Sequence, residues 1–258
     1  MLVGGDLSAA AERTTAGPES TTISGSVSCV TRLALRPWCS RRRICDPEAV
    51  RILGSRGAAA LIGAASWTAT EYGLHRFLMH ELRGRGLASV EHLKHHTDVT
   101  YFSPASKKLA SAATTTAVAY PATAAVAGRR WATAFTAGLL TMYVGYEFAH
   151  RRTHTHPPRN RYGRWARRNH LHHHFGAPMR NFGVTSPLWD KVFGTYDDPG
   201  VVTVPCRMAP VWLLDESGAV KAEFADDYLA KGPAHASAHD VEQDHVAAFA
   251  NVAPALDP

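Results

Sequence analysis

The chain has 258 residues, enough for one domain with a sizeable core and room for an extension. Its formal net charge of +6 suits a membrane surface or an acidic partner, whereas the groove-reading motifs and interleaved aromatics of a nucleic-acid binder are missing, which argues against nucleic acid. The four cysteines, Cys29, Cys39, Cys45 and Cys206, form no CxxC pair, so no disulfide framework is implied and a reducing cytosolic face is the simplest setting.

Residues 1–45 are rich in Ser, Thr, Gly and Ala, end near Arg41, Arg42 and Arg43, and lack helical apolar periodicity, so they read as a disordered leader without the features of a signal peptide. Asp46-Pro47-Glu48 then marks a helix start, with Asp as N-cap, Pro at the first helical position and Glu in the first turn. The catalytic domain is expected over residues 46–200.

Three segments behave as membrane helices rich in Ala and Thr. The first runs from Ile52 to Met79, but its uncharged run from Gly57 to Thr70 is short against the ~20 apolar residues that a span calls for. The second, Leu109 to Gly128, and the third, Trp131 to Tyr146, make a transmembrane pair with Arg129 and Arg130 at the hairpin; the competing reading is a buried helical hairpin in a soluble protein. Lys107, Lys108, Arg151 and Arg152 flank the outer ends of the pair, so the positive-inside rule puts those ends and the neighbouring histidines on the cytosolic side. A spanning first segment would strand the arginines of residues 41–56 on the opposite side, which leaves a re-entrant or interfacial course open. The fold class that follows is all-α: an integral membrane helical bundle with a cytosolic helical lobe.

From Phe148 to Trp189 the chain carries eight arginines and no acidic residue, which reads as a surface facing lipid headgroups, with docking of an acidic electron carrier as the second reading. Residues 201–230 form a C-terminal lobe, and residues 231–258, rich in Ala, His and Asp, are expected to be a flexible tail.

Histidine is the outlier. Twelve of the 15 histidines lie between His75 and His174, a crowding that is costly unless something that seeks neutral imidazole binds there. His75 and His80, five residues apart, would sit ~140° apart on a regular helix, so they share a site only where the helix ends or bends. In Glu91-His92-Leu93-Lys94-His95-His96, His92 faces both His95 and His96 at i+3 and i+4. Glu147, His150 and His154 form a stripe at i, i+3 and i+7 on the end of the third helix. The fourth cluster repeats the second through His170, His173 and His174, and His172 points away. Each pair alone is weak evidence, but together they supply ten sensible imidazoles, enough for two metal ions.

The stretches HRFLMH, HLKHH, HRRTH and HLHHH, followed by Asn181-Phe182-Gly183 and the run from Ser186 to Thr195, resemble the fatty acid hydroxylase/sterol desaturase superfamily over roughly residues 55–196. The resemblance implies a helical membrane oxygenase whose metal ligands are His75, His80, His92, His95, His96, His150, His154, His170, His173 and His174. It further implies two iron ions, which zinc could replace in a purified sample, O2, and a lipid substrate that is hydroxylated or desaturated. Oxygen insertion into an unactivated C–H bond needs a cofactor in any case, because no side chain supplies the oxidant. Glu147, Glu91 and Asp190 stand as partners that fix imidazole tautomers, or else as ordinary ion-pair partners of nearby Arg and Lys. Trp189 and Phe193 are expected to pack the cytosolic lobe onto the clusters. The chain has no GxGxxG turn and no haem or iron–sulfur ligand set, so an external donor such as a ferredoxin or a cytochrome of the b5 type is implied. Competing readings are a carotenoid hydroxylase or ketolase, a hydrolase using zinc-bound hydroxide, and a membrane metal-binding or metal-transport protein.

Overall fold

The computed structural model describes residues 47–256, with side chains from Ser55 onward. The expected leader, the Asp46 cap and Cys29, Cys39 and Cys45 lie outside the described residues.

Helix α1 (Pro47–Gly73) opens with Pro47, whose fixed φ suits the first helical position. It runs without a break into a π-helix, Leu74–Glu81. A turn with Arg83, Gly84 and Gly86 all at positive φ reverses the chain into α2 (Leu87–Thr97). Ser89 ties that turn down, accepting from the Gly84 N–H at 2.8 Å and donating to the Met79 carbonyl at 2.7 Å.

Helix α3 (Ala105–Ala127) and helix α4 (Arg129–Thr155) pack as an antiparallel pair joined by the single residue Gly128, at φ 82°. Arg129 and Arg130 therefore open α4 and do not form the hairpin loop. Helix α4 continues well past Tyr146, which carries His150 and His154 as one rigid rod. Pro157-Pro158 ends that course, and the Asn160 side chain caps α5 (Arg161–Phe175) by accepting from the Gly163 N–H at 2.7 Å. A short α6 (Leu188–Val192) follows.

Helices α1 and α4 cross with their backbones touching. A methyl group added to Gly63 would overlap the Phe135 carbonyl, and one added to Gly138 would overlap the Ala60 carbonyl. This reciprocal close approach lets Trp67, Leu139, Tyr146 and Val184 bury together beside the crossing.

The C-terminal part corrects two expectations. The chain is mostly helical but not all-α: β1 (Val202–Pro205) pairs in parallel with β2 (Tyr228–Lys231), and both cover a core of Val202, Val204, Trp212, Leu213, Phe224 and Tyr228 laid against Leu171 and Phe175 of α5. Four-residue strands leave too short an alternation to be read as strands from sequence. Nor is the end of the chain a loose tail. Residues Ala238–Ala250 form helix α7, started by a capping box between Ser237 and Asp240 and packed on α2. A bidentate ion pair between Arg207 and Asp244, at 2.7 and 2.9 Å with both side chains at most 5% exposed, fastens it to the lobe.

The three expected spans are all helices, yet among the described residues no helix is long and apolar enough to cross a membrane. Their threonines lower the mean hydropathy, although Thr114, Thr116, Thr133 and Thr141 each donate back to the carbonyl four residues earlier, which satisfies the hydroxyl within the helix. The outward faces carry large exposed apolar side chains: Leu61 on α1, Leu109, Val118 and Val126 on α3, and Val144 and Phe148 on α4.

Candidate metal centre

The π-helix resolves the awkward spacing of the first cluster. Its i to i+5 hydrogen bonding stacks residues five apart along one side, so His75 and His80 both face inward and are buried. From α2, His92 and His96 meet them, and from α5, His173. These five form one group, and His95, His150, His154, His170 and His174 form a second; within each, the ligand nitrogens all lie within 4.8 Å of one another. The ten rings are all buried. The groups sit side by side, with His96 of the first stacked on His174 of the second at 4.0 Å between ring centroids.

What the rings could hold follows from where their protons are. In the first group, His75 Nδ1 donates to the Phe182 carbonyl, His80 Nδ1 to Asn251 Oδ1 at 2.9 Å, and His173 Nδ1 to the Arg180 carbonyl at 2.7 Å. In the second, His95 Nδ1 donates to the Tyr101 carbonyl at 2.8 Å. Each bond leaves a bare lone pair on Nε2, and those of His80 and His173 face each other at 3.0 Å; the His92 Nε2 lies 3.0 Å from that of His75 and 2.8 Å from that of His80. In the second group the Nε2 atoms also converge, His95 to His154 at 3.1 Å and His154 to His170 at 2.8 Å, while Nδ1 of His154, His170 and His174 has no hydrogen-bond partner in the protein. His150 Nε2, also buried, has no hydrogen-bond partner in the protein.

Opposed lone pairs at this distance repel unless a cation lies among them. About 3 Å is also the edge that two metal–nitrogen bonds of about 2.1 Å subtend at a right angle. Protonation does not relieve the crowding. Burial pushes His75 down to about 3 and His80 and His95 down to about 4, and burial together with the neighbouring imidazoles pushes His173 well below its usual range. Neutral imidazole is the ligand form, so the donor set fits two transition-metal ions.

The fatty acid hydroxylase family model matches residues 60–195, more than half of the chain, and spans all ten of these histidines. The chain belongs to the fatty acid hydroxylase family. Among its relatives, Dihydroceramide fatty acyl 2-hydroxylase FAH2 of Arabidopsis thaliana is 32% identical over 56% of this chain and 62% of its own length. Ceramide very long chain fatty acid hydroxylase SCS7 of Saccharomyces cerevisiae is 35% identical over 54% of this chain and 38% of its own length. The chain thus spans less than two thirds of either relative. A solved structure titled "Full length scs7p (only hydroxylase domain visible)" aligns over 67% of each chain at 27% identity, with a TM-score of 0.45.

In this member of the fatty acid hydroxylase family, none of the carboxylates singled out from sequence touches an imidazole. Asp190 acts one link further out: it accepts from the Phe182 and Gly183 N–H groups at 2.9 and 2.7 Å and from Thr195 at 2.8 Å, holding the loop whose Phe182 carbonyl orients His75. Gly183 is required there, because a methyl would overlap the Ser186 carbonyl. Glu91 pairs with Lys107 at 2.7 Å and receives the Tyr101 hydroxyl, whose own backbone carbonyl orients His95. Glu147 pairs with Lys108 across the α3–α4 hairpin. Replacing Asp190 with Ala is expected to free the Phe182 loop and weaken metal binding or turnover about 10- to 100-fold, the usual scale for a group that orients a ligand, while Asp190→Asn retains part of it. Metal titration of the two variants checks this.

His172 points out of both groups, as its spacing implies. Trp189 and Phe193 pack on α1 and not on the histidines: the Trp189 indole donates to Thr68 at 3.0 Å, and Phe193 stacks on Tyr72 at 5.2 Å. Much of the basic stretch is structural. Arg167 is buried and donates to the Arg152 and His156 carbonyls, and Arg164 and Arg168 pair with Asp227.

A cavity of about 270 Å³ between α1, α2, α3 and α4 reaches both groups, touching His92 of the first and His95 and His150 of the second. Trp67, Leu74, Leu78 and Phe102 give it apolar walls, while Glu91 and Lys107 line its polar side.

Proposed function

We propose that this chain is a membrane-associated di-iron hydroxylase that inserts oxygen from O2 into a C–H bond of a fatty acyl lipid, drawing electrons from a separate donor. The observation that carries it is the apolar cavity bordered by imidazoles of both five-histidine groups, which would bring a hydrocarbon chain directly against the metal centre. When bound, the two irons would supply the oxidising chemistry that no side chain offers. The protein's own part is positional: His75, His80, His92, His96 and His173 would hold one ion, and His95, His150, His154, His170 and His174 the other. Backbone carbonyls of Phe182, Tyr101 and Arg180 hold the Nδ1 atoms of His75, His95 and His173, which fixes the direction of their Nε2 donors. Trp67, Leu74 and Phe102 exclude water from the reacting chain, and the Glu91–Lys107 pair offers polar partners to the acyl group's head.

The ceramide acyl hydroxylases among its relatives favour an amide-linked acyl substrate. Membrane association is supported by the unpartnered apolar faces of α1, α3 and α4, which a lipid surface would cover. Lys107 and Lys108 at the start of α3, and Arg151 and Arg152 beside the histidines near the end of α4, favour a cytosolic face for the centre. Membranes carrying the protein, supplied with a reductant, 18O2 and ceramides or free fatty acids, are expected to yield a hydroxylated acyl chain carrying one 18O atom. Product that forms without O2, or label only from water, would overturn the reading.

A further inference from the structure

The first metal group is closed by a residue that lies outside the histidine clusters and well beyond the matched family region, which ends at residue 195. Asn251 follows α7 in the left-handed conformation, φ 59° and ψ 39°, and is 9% exposed. Its amide makes two bonds to one residue: Nδ2 donates to the His80 backbone carbonyl at 3.0 Å, and Oδ1 accepts from His80 Nδ1 at 2.9 Å. The first bond requires the nitrogen to face the carbonyl, so the oxygen must face the ring. Hence His80 carries its proton on Nδ1, and its Nε2 presents a lone pair to His92 and His173.

Backbone carbonyls perform the same task for His75, His95 and His173, so His80 stands apart in taking its orientation from a side chain 171 positions away. Three contacts deliver that side chain: the buried Arg207–Asp244 pair, Phe249 packed over Gly84, where a methyl would lie 2.9 Å from the ring, and the Asn251 amide itself.

We propose that Asn251 is a positioning residue of the first metal group, so that loading of that group depends on the docked C-terminal helix. The proposal rests on the reading that the two histidine groups hold metal. Its cleanest variant is Asn251→Gly. Glycine is the residue best suited to a left-handed helix terminus, so the backbone is kept while both amide bonds are lost. Asn251→Asp keeps the acceptor for His80 Nδ1.

Full-length protein stripped with a chelator would be titrated with cobalt(II), following its visible bands and the bound metal per chain, with thermal melting to monitor the fold. Wild type is expected to take up two ions per chain; Asn251→Gly, melting as wild type does, is expected to bind one as before and the other at least 10-fold more weakly, with Asn251→Asp restoring the second. In a His80→Ala background, adding Asn251→Gly should change nothing further. Two ions at wild-type affinity in Asn251→Gly would overturn the positioning role. A wild-type chain that takes up no cobalt would overturn the metal-centre reading itself.

Discussion

His173→Ala is expected to leave the protein with one metal ion in place of two and to reduce hydroxylation to background. His173 is fully buried, its Nδ1 is committed to the Arg180 carbonyl, and its Nε2 lies 3.0 Å from that of His80, so nothing else in the first group can move into its place. Truncation removes a donor and leaves a void in a close-packed interior, where the other four rings relax only partially. Loss of an outer partner typically costs 10- to 100-fold, and loss of the donor itself should exceed ~100-fold in affinity or turnover. The second group shares no histidine with the first, so its ion is retained. Elemental analysis together with product formation on the same preparation checks both halves; unchanged metal content would remove His173 from the donor set.

The second large effect is expected far from the histidines. Gly138→Val places a branched side chain against the Ala60 carbonyl at a crossing where a single methyl already overlaps backbone. Rotamer changes cannot relieve such a clash, so α1 and α4 must separate and lose the buried cluster of Trp67, Leu139 and Tyr146. Overpacking of this kind costs ~3 kcal/mol or more. Because the rod of α1 and its π-helical continuation carries His75 and His80, and α4 carries His150 and His154, separation spoils both groups at once. The variant should therefore melt at lower temperature and lose both ions, in contrast to the loss of one in His173→Ala. Gly145→Ala is the control: its added methyl meets open space, and the same helix should be unaffected or slightly stabilised.

These two sites differ in how far the sequence announces them. The histidine clusters were legible because helical spacings of three and four put His92 with His95 and His96, and His170 with His173 and His174; the i+4 pairs do share a group, whereas His95 and His173 each join the other one, a division that only the packing of the helices sets. The five-residue step from His75 to His80 gave only a demand for a bend. A π-helix meets that demand through backbone bonding, and no composition rule marks its start at Leu74. Of the three carboxylates, Asp190 is the most closely tied to the centre, but through backbone N–H groups of Phe182 and Gly183, and such bonds have no side-chain signature.

Asn251 was beyond reach for a different reason. One asparagine in an Ala- and Asp-rich stretch carries no periodic signal, and only the long-range contacts of α7 with α2 and Arg207 give it meaning. The same is true of β1 and β2, which are too short to declare themselves and form because Val202 and Tyr228 share a core with α5. The expected spans were legible as helices but not as spans. Positional pattern and flanking charge located α1, α3 and α4 as helices, whereas their Ala and Thr content keeps each below the hydropathy of a spanning segment.

Everything in the functional reading returns to ten buried imidazoles arranged in two sets of five. X-ray absorption at the iron edge, with iron counted per chain on protein purified from iron-replete cells, measures that arrangement directly. The expected result is two irons per chain, each with a first shell of imidazole nitrogens at about 2.1 Å and the outer-ring scattering that histidine produces. A shell dominated by carboxylate or sulfur, or a preparation holding fewer than two ions at saturation, would contradict it.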